Sequence, residues 1–286
     1  MQVDEVFGVA PVVNAASYVD RGGLDGQLAA LFRRHVHVSI SGESRSGKSW
    51  LRQRAVPHAL VVQCREGLTV ADLYRLAMNA LGLRLDLSSD TTGPLDGHLS
   101  SIHPRGRTLL KNVLTVAYPE LVGEETPSGI SVHSNDHLPL IAAILRISRR
   151  RLVIEDFHYL SRDAQRLFAS HLKSLWDLST YVVVIGVSSR LNFLEHLNPE
   201  LRDRQEAIQV QWTPEELLRV IELGARSLNV QVDPQVRERI LRQSLGDVAR
   251  LQLLSLQTVE ELFSRSRQVV AGVSAVEVQD AHAQVD

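Results

Sequence analysis

One run constrains this chain more than any other feature: Gly42-Glu43-Ser44-Arg45-Ser46-Gly47-Lys48-Ser49. It follows an apolar, β-branched segment at 36–40 and precedes a helix-compatible segment at 49–55 that stops before Pro57. The glycines let the backbone turn tightly enough for its N–H groups to point inward at phosphate oxygens. The N-terminus of the following helix adds positive potential. In such a loop Lys48 reaches the β- and γ-phosphates and the Ser49 hydroxyl binds Mg2+. A chance Gly/Ser-rich turn would not account for the strand before it and the helix after it.

A phosphate loop of this kind calls for a second component, an apolar strand ending in acid. Residues 152–156, Leu-Val-Ile-Glu-Asp, supply one downstream. In such pairs one acid helps hold Mg2+ and its neighbour orients the attacking water. Here the pair is Glu155 and Asp156.

Around these motifs, strand-like and helix-like segments alternate. Residues 59–64 and 181–187 read as buried strands and 207–211 as a weaker one. Helical spacing covers 69–81, 136–148 and 162–178, with Thr69 placed as an N-cap. Alternation of this kind predicts an α/β fold, a parallel sheet covered by helices on both faces. After Trp212 only helical patterns follow, at 214–228, 234–244 and 248–264, the first two opening on Pro214 and Pro234. The expected organisation is an N-terminal tail (1–16), an α/β domain (17–212) with a variable insertion at about 84–135, and a small all-helical lid domain with a C-terminal tail (213–286). Within the insertion, stretches rich in Ser, Asp, Thr, Gly and Pro at 84–106 and 119–135 read as loops flanking a short helix at 108–117.

Composition narrows the function classes. Lys plus Arg number 31 against 33 Asp plus Glu, a net charge of −2, which argues against a chain that coats nucleic acid by charge throughout. The single cysteine, Cys64, excludes an intramolecular disulfide framework and a cysteine-rich zinc site. No apolar run approaches the ~18–20 residues that span a bilayer, and the N-terminus lacks the pattern of a secretory signal. A cytoplasmic protein with no membrane partner is expected. His35 and His37 read as alternating along a strand edge, as surface or core histidines without the partners of a metal site. The arginines at 33–34, 146 and 149–151 read as solvated helix ends. A DNA contact stays open if an oligomer aligns several copies of such a cluster. No N-K-x-D segment that would read guanine is present, so adenine is the expected base.

In motif and order of elements the chain resembles the AAA+ ATPases, in particular the branch of origin-recognition-like ATPases and ATP-binding regulators of DNA transposition. It also has a likeness to the STAND signalling ATPases. The resemblance extends over about residues 17–265 and implies a P-loop NTPase sheet with ATP and Mg2+ as cofactors. Tyr18-Val19-Asp20-Arg21, with Leu24 and Leu28, resembles the segment that contributes to the adenine pocket in these families. Ser188 or Ser189 falls at the sensor-1 position, where relatives more often carry Asn or Thr. Leu201-Arg202-Asp203-Arg204 resembles the segment bearing an arginine finger that acts in trans; Arg202 and Arg204 read equally well as surface ion-pair residues. Gly246-Asp247-Val248-Ala249-Arg250 resembles sensor 2, with Arg250 reaching back to the nucleotide. Relatives usually place Asp first in the acidic pair. The order Glu155, Asp156 leaves the division of labour open and implies weaker hydrolysis.

The function implied is an ATP-binding and ATP-hydrolysing switch that forms a homo-oligomer and regulates an effector protein encoded nearby, in DNA transposition, DNA processing or phage defence. Two alternatives stay open: a STAND-like nucleotide-gated interaction module with little hydrolysis, and, more weakly, a small-molecule P-loop kinase. No winged helix, zinc finger or helix-turn-helix pattern follows the helical segment, which counts against a DNA loader.

Overall fold

The computed structural model describes residues 2–87, 97–117, 130–132 and 137–264. The C-terminal tail beyond 264 and most of the loop expected at 119–135 lie outside them. In chain order the first elements are α1 (Leu24–Leu31), β1 (His37–Gly42), α2 (Lys48–Ala55), β2 (Leu60–Gln63), α3 (Val70–Ala80), β3 (Leu83–Leu87), β4 (Gly97–Ser101), α4 (Pro104–Ala117) and β5 (Ile130–Val132). Then come α5 (His137–Ser148), β6 (Leu152–Glu155), α6 (Arg162–Asp177), β7 (Val183–Ile185), β8 (Gln205–Val210), α7 (Pro214–Ser227) and α8 (Pro234–Ser244). Residues 248–264 form a last helix, α9.

The chain divides into two compact units, one of residues 1–24, 45–50 and 211–286, the other of residues 25–44 and 51–210. The second unit is built on a five-stranded sheet of order β2-β6-β7-β1-β8. Every neighbouring pair in it is parallel. Parallel strands need crossover helices, which cover the sheet; β6 (LVIE) and β7 (VVI) are accordingly buried at every residue. The expected α/β architecture is therefore the observed one. One layer of the core joins Leu73 and Tyr74 of α3, Ile141 of α5 and Phe168 of α6 to Leu60 and Ile154 of the sheet. Thr69 caps α3 in a reciprocal box with Asp72, satisfying two otherwise orphaned N–H groups.

Three expectations need correction. His37 is not at an edge: β1 pairs with β7 on one side and β8 on the other, and the side chain is fully buried. Its Nδ1 accepts from Val182 N–H at 2.9 Å, which leaves Nε2 to donate to Leu172 O at 2.8 Å. Burial holds its pKa down at about 4, so the ring is a neutral cross-link. Arg150 and Arg151 are not solvated helix ends. Arg150 donates to the carbonyls of His58 and Ala59, and Arg151 lies over the Phe32 ring, 4.7 Å from its centroid, while donating to Phe32 O. Finally, part of the expected loops is sheet: β3, β4 and β5 form an antiparallel three-stranded sheet, and α4 begins at Pro104. Leu83, Leu85 and Leu99 from it enter the main core.

The first unit packs α7, α8 and α9 with residues from the start of the chain. Val19 joins Leu217, Ile221, Ile240 and Leu251 in one apolar cluster, and Val6 and Phe7 join Ala225 and Val259 in another. A buried polar chain links the two ends of the sequence: Ser17 Oγ donates to Val6 O at 2.6 Å, and Gln252 Nε2 donates to Ser17 Oγ at 3.1 Å. Gly8 N–H donates to Gln252 Oε1 at 3.3 Å. Residues expected as an N-terminal tail thus include fully buried Val6 and Phe7. Thr213 caps α7 in a second box, with Glu216 as the partner and Pro214 in the first turn.

Candidate functional site

The run 42–49 leaves the C-terminal end of β1 and enters α2, as its sequence context requires. Gly42 and Gly47 have φ of 150° and 84°, and Arg45 between them has φ of 59°. The loop thus turns through the left-handed region, where residues with a Cβ are rare. Gly47 is needed for space as well: a Cβ there would come within 3.1 Å of Arg21 Nη1. Ser46 and Lys48 are each 8% exposed, Glu43, Ser44, Arg45 and Ser49 are exposed, and Lys48 Nζ lies 3.4 Å from Ser46 Oγ. On its outer side, Ser46 O accepts from Arg21 Nη1 at 2.6 Å and Trp212 Nε1 at 2.9 Å. Gly47 O accepts from Arg21 Nη2 at 3.4 Å.

The acidic pair ends β6, whose C-terminal edge is also that of β1 because the sheet is parallel. Ligands of open α/β sheets bind at that edge. Glu155 is 4% exposed, and its Oε1 accepts from Arg52 Nε at 2.9 Å. Asp156 is half-buried and sits at φ 56°, ψ 36°, the left-handed region, at the start of a short 3₁₀ turn, Phe157–Tyr159. Its Oδ2 accepts from Gln63 at the end of β2. Burial, with the charge of Asp156 as a smaller contribution, pushes the buried Cys64 thiol up to about 12, so this cysteine is no nucleophile. His158 accepts from Val187 N–H at 3.3 Å and packs on Tyr159.

β7 lies between β1 and β6. Ser188, beyond its end, bridges Gly42 in backbone pairing, so the expected sensor serines emerge beside the first glycine of the loop. Ser188 Oγ accepts from Arg190 N–H at 3.0 Å, and Ser189 O accepts from Gln209. Both serines line a cavity of about 320 Å³ with Arg162, Arg190, Phe193 and His196. Among the described residues no acid contributes to this lining. Arg162 and Arg190 belong to no motif in the sequence and come to this lining only through the fold.

The remaining assigned residues lie apart from this edge or in the other unit. Arg204 lies with its guanidinium 5.0 Å from the Trp176 ring centroid, and its Nη1 donates to Glu200 O at 2.5 Å. Arg202, which follows the 3₁₀ turn Pro199–Leu201, is exposed. Arg250 is exposed in the first turn of α9, where Asp247 Oδ1 accepts from the N–H groups of Ala249 and Arg250. Tyr18 is half-buried, and Val19, 6% exposed, has its side chain in the helical cluster. Among the described residues no group of three or more His, Cys, Asp and Glu could hold a metal by itself, and no helix is long and apolar enough to cross a membrane.

No protein-family model and no curated protein matches the chain. Among solved structures, a Walker-type ATPase of Pyrococcus abyssi matches with a TM-score of 0.58 at 14% identity, over 98% of this chain and 80% of that one. A STAND protein with a tetratricopeptide repeat sensor from Pyrococcus horikoshii gives 0.48 at 15% identity, over 85% of this chain and 30% of that one. AMPPCP-bound DnaA from Aquifex aeolicus gives 0.44 at 13% identity, over 89% and 68%. At such identities likeness speaks to fold alone, and the first match shows the chain to have the fold of a Walker-type ATPase.

Proposed function

We propose that the chain binds ATP with Mg2+ through the loop 42–49, hydrolyses it weakly, and works as a homo-oligomeric switch for an effector protein. The observation that carries this reading is the sheet edge itself: the start of a glycine-turned phosphate loop, a polar strand end and an acidic pair leave three adjoining parallel strands on one side. The donor set suits a hard cation on oxygen ligands, namely the Ser49 hydroxyl and the carboxylates of Glu155 and Asp156. Bound Mg2+ would screen the charge of the triphosphate.

Each residue has its own task. The loop N–H groups and Lys48 bind phosphate oxygens, while Glu155, already paired with Arg52, contributes a partly neutralised carboxylate. Asp156, held by Gln63, is the acid free to accept a hydrogen bond from the attacking water and orient it. Arg202 and Arg250, both exposed, are the cations available to report occupancy between subunits and from the helical segment 213–264, which acts as a lid. Adenine falls to the segment around Tyr18. The second reading, a nucleotide-gated module with little turnover, is favoured by the Arg52–Glu155 pair, because it weakens one of two acids. DNA is a lesser partner in either reading, since Arg150 and Arg151 serve inside the fold.

Calorimetric titration of ATP with Mg2+ tests the first step: the protein releases heat on binding and Lys48→Ala does not. Absence of heat with the folded wild-type protein ends the proposal. Light scattering with ATP, ADP and a non-hydrolysable analogue separates the two readings. A switch disassembles as ATP is consumed, whereas the module keeps its size with ATP and with the analogue alike.

A further inference from the structure

We infer that Arg21 and Trp212 are positioning residues for the phosphate loop: they aim its N–H groups by holding its carbonyl groups from behind. The inference rests on the reading of 42–49 as a phosphate-binding loop and concerns how that loop keeps its shape. A trans peptide unit is planar, with its C=O and N–H pointing in opposite directions. Fixing Ser46 O therefore fixes the direction of Gly47 N–H, and fixing Gly47 O does the same for Lys48 N–H.

Both carbonyls are held. Ser46 O accepts two hydrogen bonds, from Arg21 Nη1 at 2.6 Å and Trp212 Nε1 at 2.9 Å. Gly47 O accepts a longer one from Arg21 Nη2 at 3.4 Å. The two donors also hold each other, since Arg21 Cζ lies 4.4 Å from the Trp212 ring centroid. Arg21 is 3% exposed, so its donors do not compete with bulk water. The planar fork of a guanidinium can serve two successive carbonyls, which an ammonium cannot do with fixed geometry. Gly47 completes the fit, because a Cβ there would press on Arg21 Nη1.

The clasp has a second consequence. Trp212 directly precedes Thr213, the cap of α7, so the root of the helical segment holds the loop directly. A ligand that tightens the loop acts on Trp212, and by reciprocity a displacement of Trp212 changes the affinity of the loop.

Labelling with ¹⁵N-tryptophan tests this on the full chain, which has only three indole groups, those of Trp50, Trp176 and Trp212. Trp212→Phe identifies its signal by loss. ATP with Mg2+ should shift the Trp212 indole signal, and adenosine, which lacks phosphates, should leave it in place. By calorimetry, Trp212→Phe and Arg21→Gln should each weaken ATP binding about tenfold, the equivalent of one buried hydrogen bond, with Arg21→Lys intermediate. Wild-type protein that binds ATP without moving the Trp212 signal overturns the inference, as does Trp212→Phe with wild-type affinity. If Trp212→Phe fails to fold, the signal is assigned as the one broadened or shifted by Arg21→Lys, and the ATP test on wild-type protein still decides. Wild-type protein that binds no ATP overturns the phosphate reading and this inference with it, a result distinct from binding with no effect at Trp212.

Discussion

Arg52 Nε lies 2.9 Å from Glu155 Oε1, and the two side chains retain only 14% and 5% of their exposure. A carboxylate at a buried strand end needs such a partner. Arg52, one turn after Lys48 on α2, supplies it from the helix that the phosphate loop opens.

Removing one partner strands the other. Arg52→Ala should lower stability by about 3 kcal/mol, read from urea unfolding, while the double change Arg52→Met with Glu155→Leu should recover most of the loss. Equal losses in the single and double variants would show that the pair contributes nothing of its own.

Asp156 occupies a backbone conformation that favours glycine. Asp156→Gly should raise stability by about 1 kcal/mol, offset in part by loss of the Gln63 contact, and yet abolish ATP turnover while leaving ATP binding intact. Turnover that survives in this variant would remove Asp156 from the chemistry.

A buried and a half-buried imidazole set an acid limit. Burial lowers His37 to about 4, and burial followed by the neighbouring His137 lowers His171 to about 4, where it lies 3.0 Å from Tyr74 Oη. Between pH 6.5 and 4 the unfolded chain binds protons that the folded one refuses, so this stability is complete above about 6.5 and is lost as pH falls toward 4. By pH 4 the loss is about 6 kcal/mol for the two together. Urea midpoints that stay level from pH 7 to 4.5 would contradict it.

The two arginines before β8 should behave differently. Arg204→Ala removes the Trp176 contact and should cost about 1 kcal/mol of stability. Arg202→Ala should leave stability unchanged and reduce turnover tenfold or more at concentrations where the wild-type protein assembles. Identical turnover with and without Arg202 would place the trans-acting cation elsewhere.

Much of this site could be read from the sequence because its signals are local. The loop 42–49 lies between strand and helix within one short stretch, and LVIED carries its own apolar run and its own acids. What escaped reading depends on distant pairing. Arg52 and Glu155 are separated by 103 positions, and Trp212 and Ser46 by 166. β3, β4 and β5 hide in polar, turn-rich sequence, since a three-stranded sheet with one face on the core needs only Leu83, Leu85 and Leu99 as anchors. β8 reads weakly for a related reason: as an edge strand it is only partly buried, so Glu206 and Gln209 are tolerated in it.

Interposing β7 between β1 and β6 sets those two strands two lateral steps of the sheet apart, roughly 9–10 Å at the usual strand spacing. The width between the loop strand and the acidic strand is therefore set by strand order before any side chain acts. Substitutions at Gly42 or Glu155 can alter the chemistry of the two strand ends, but only a change of topology could bring the strands together.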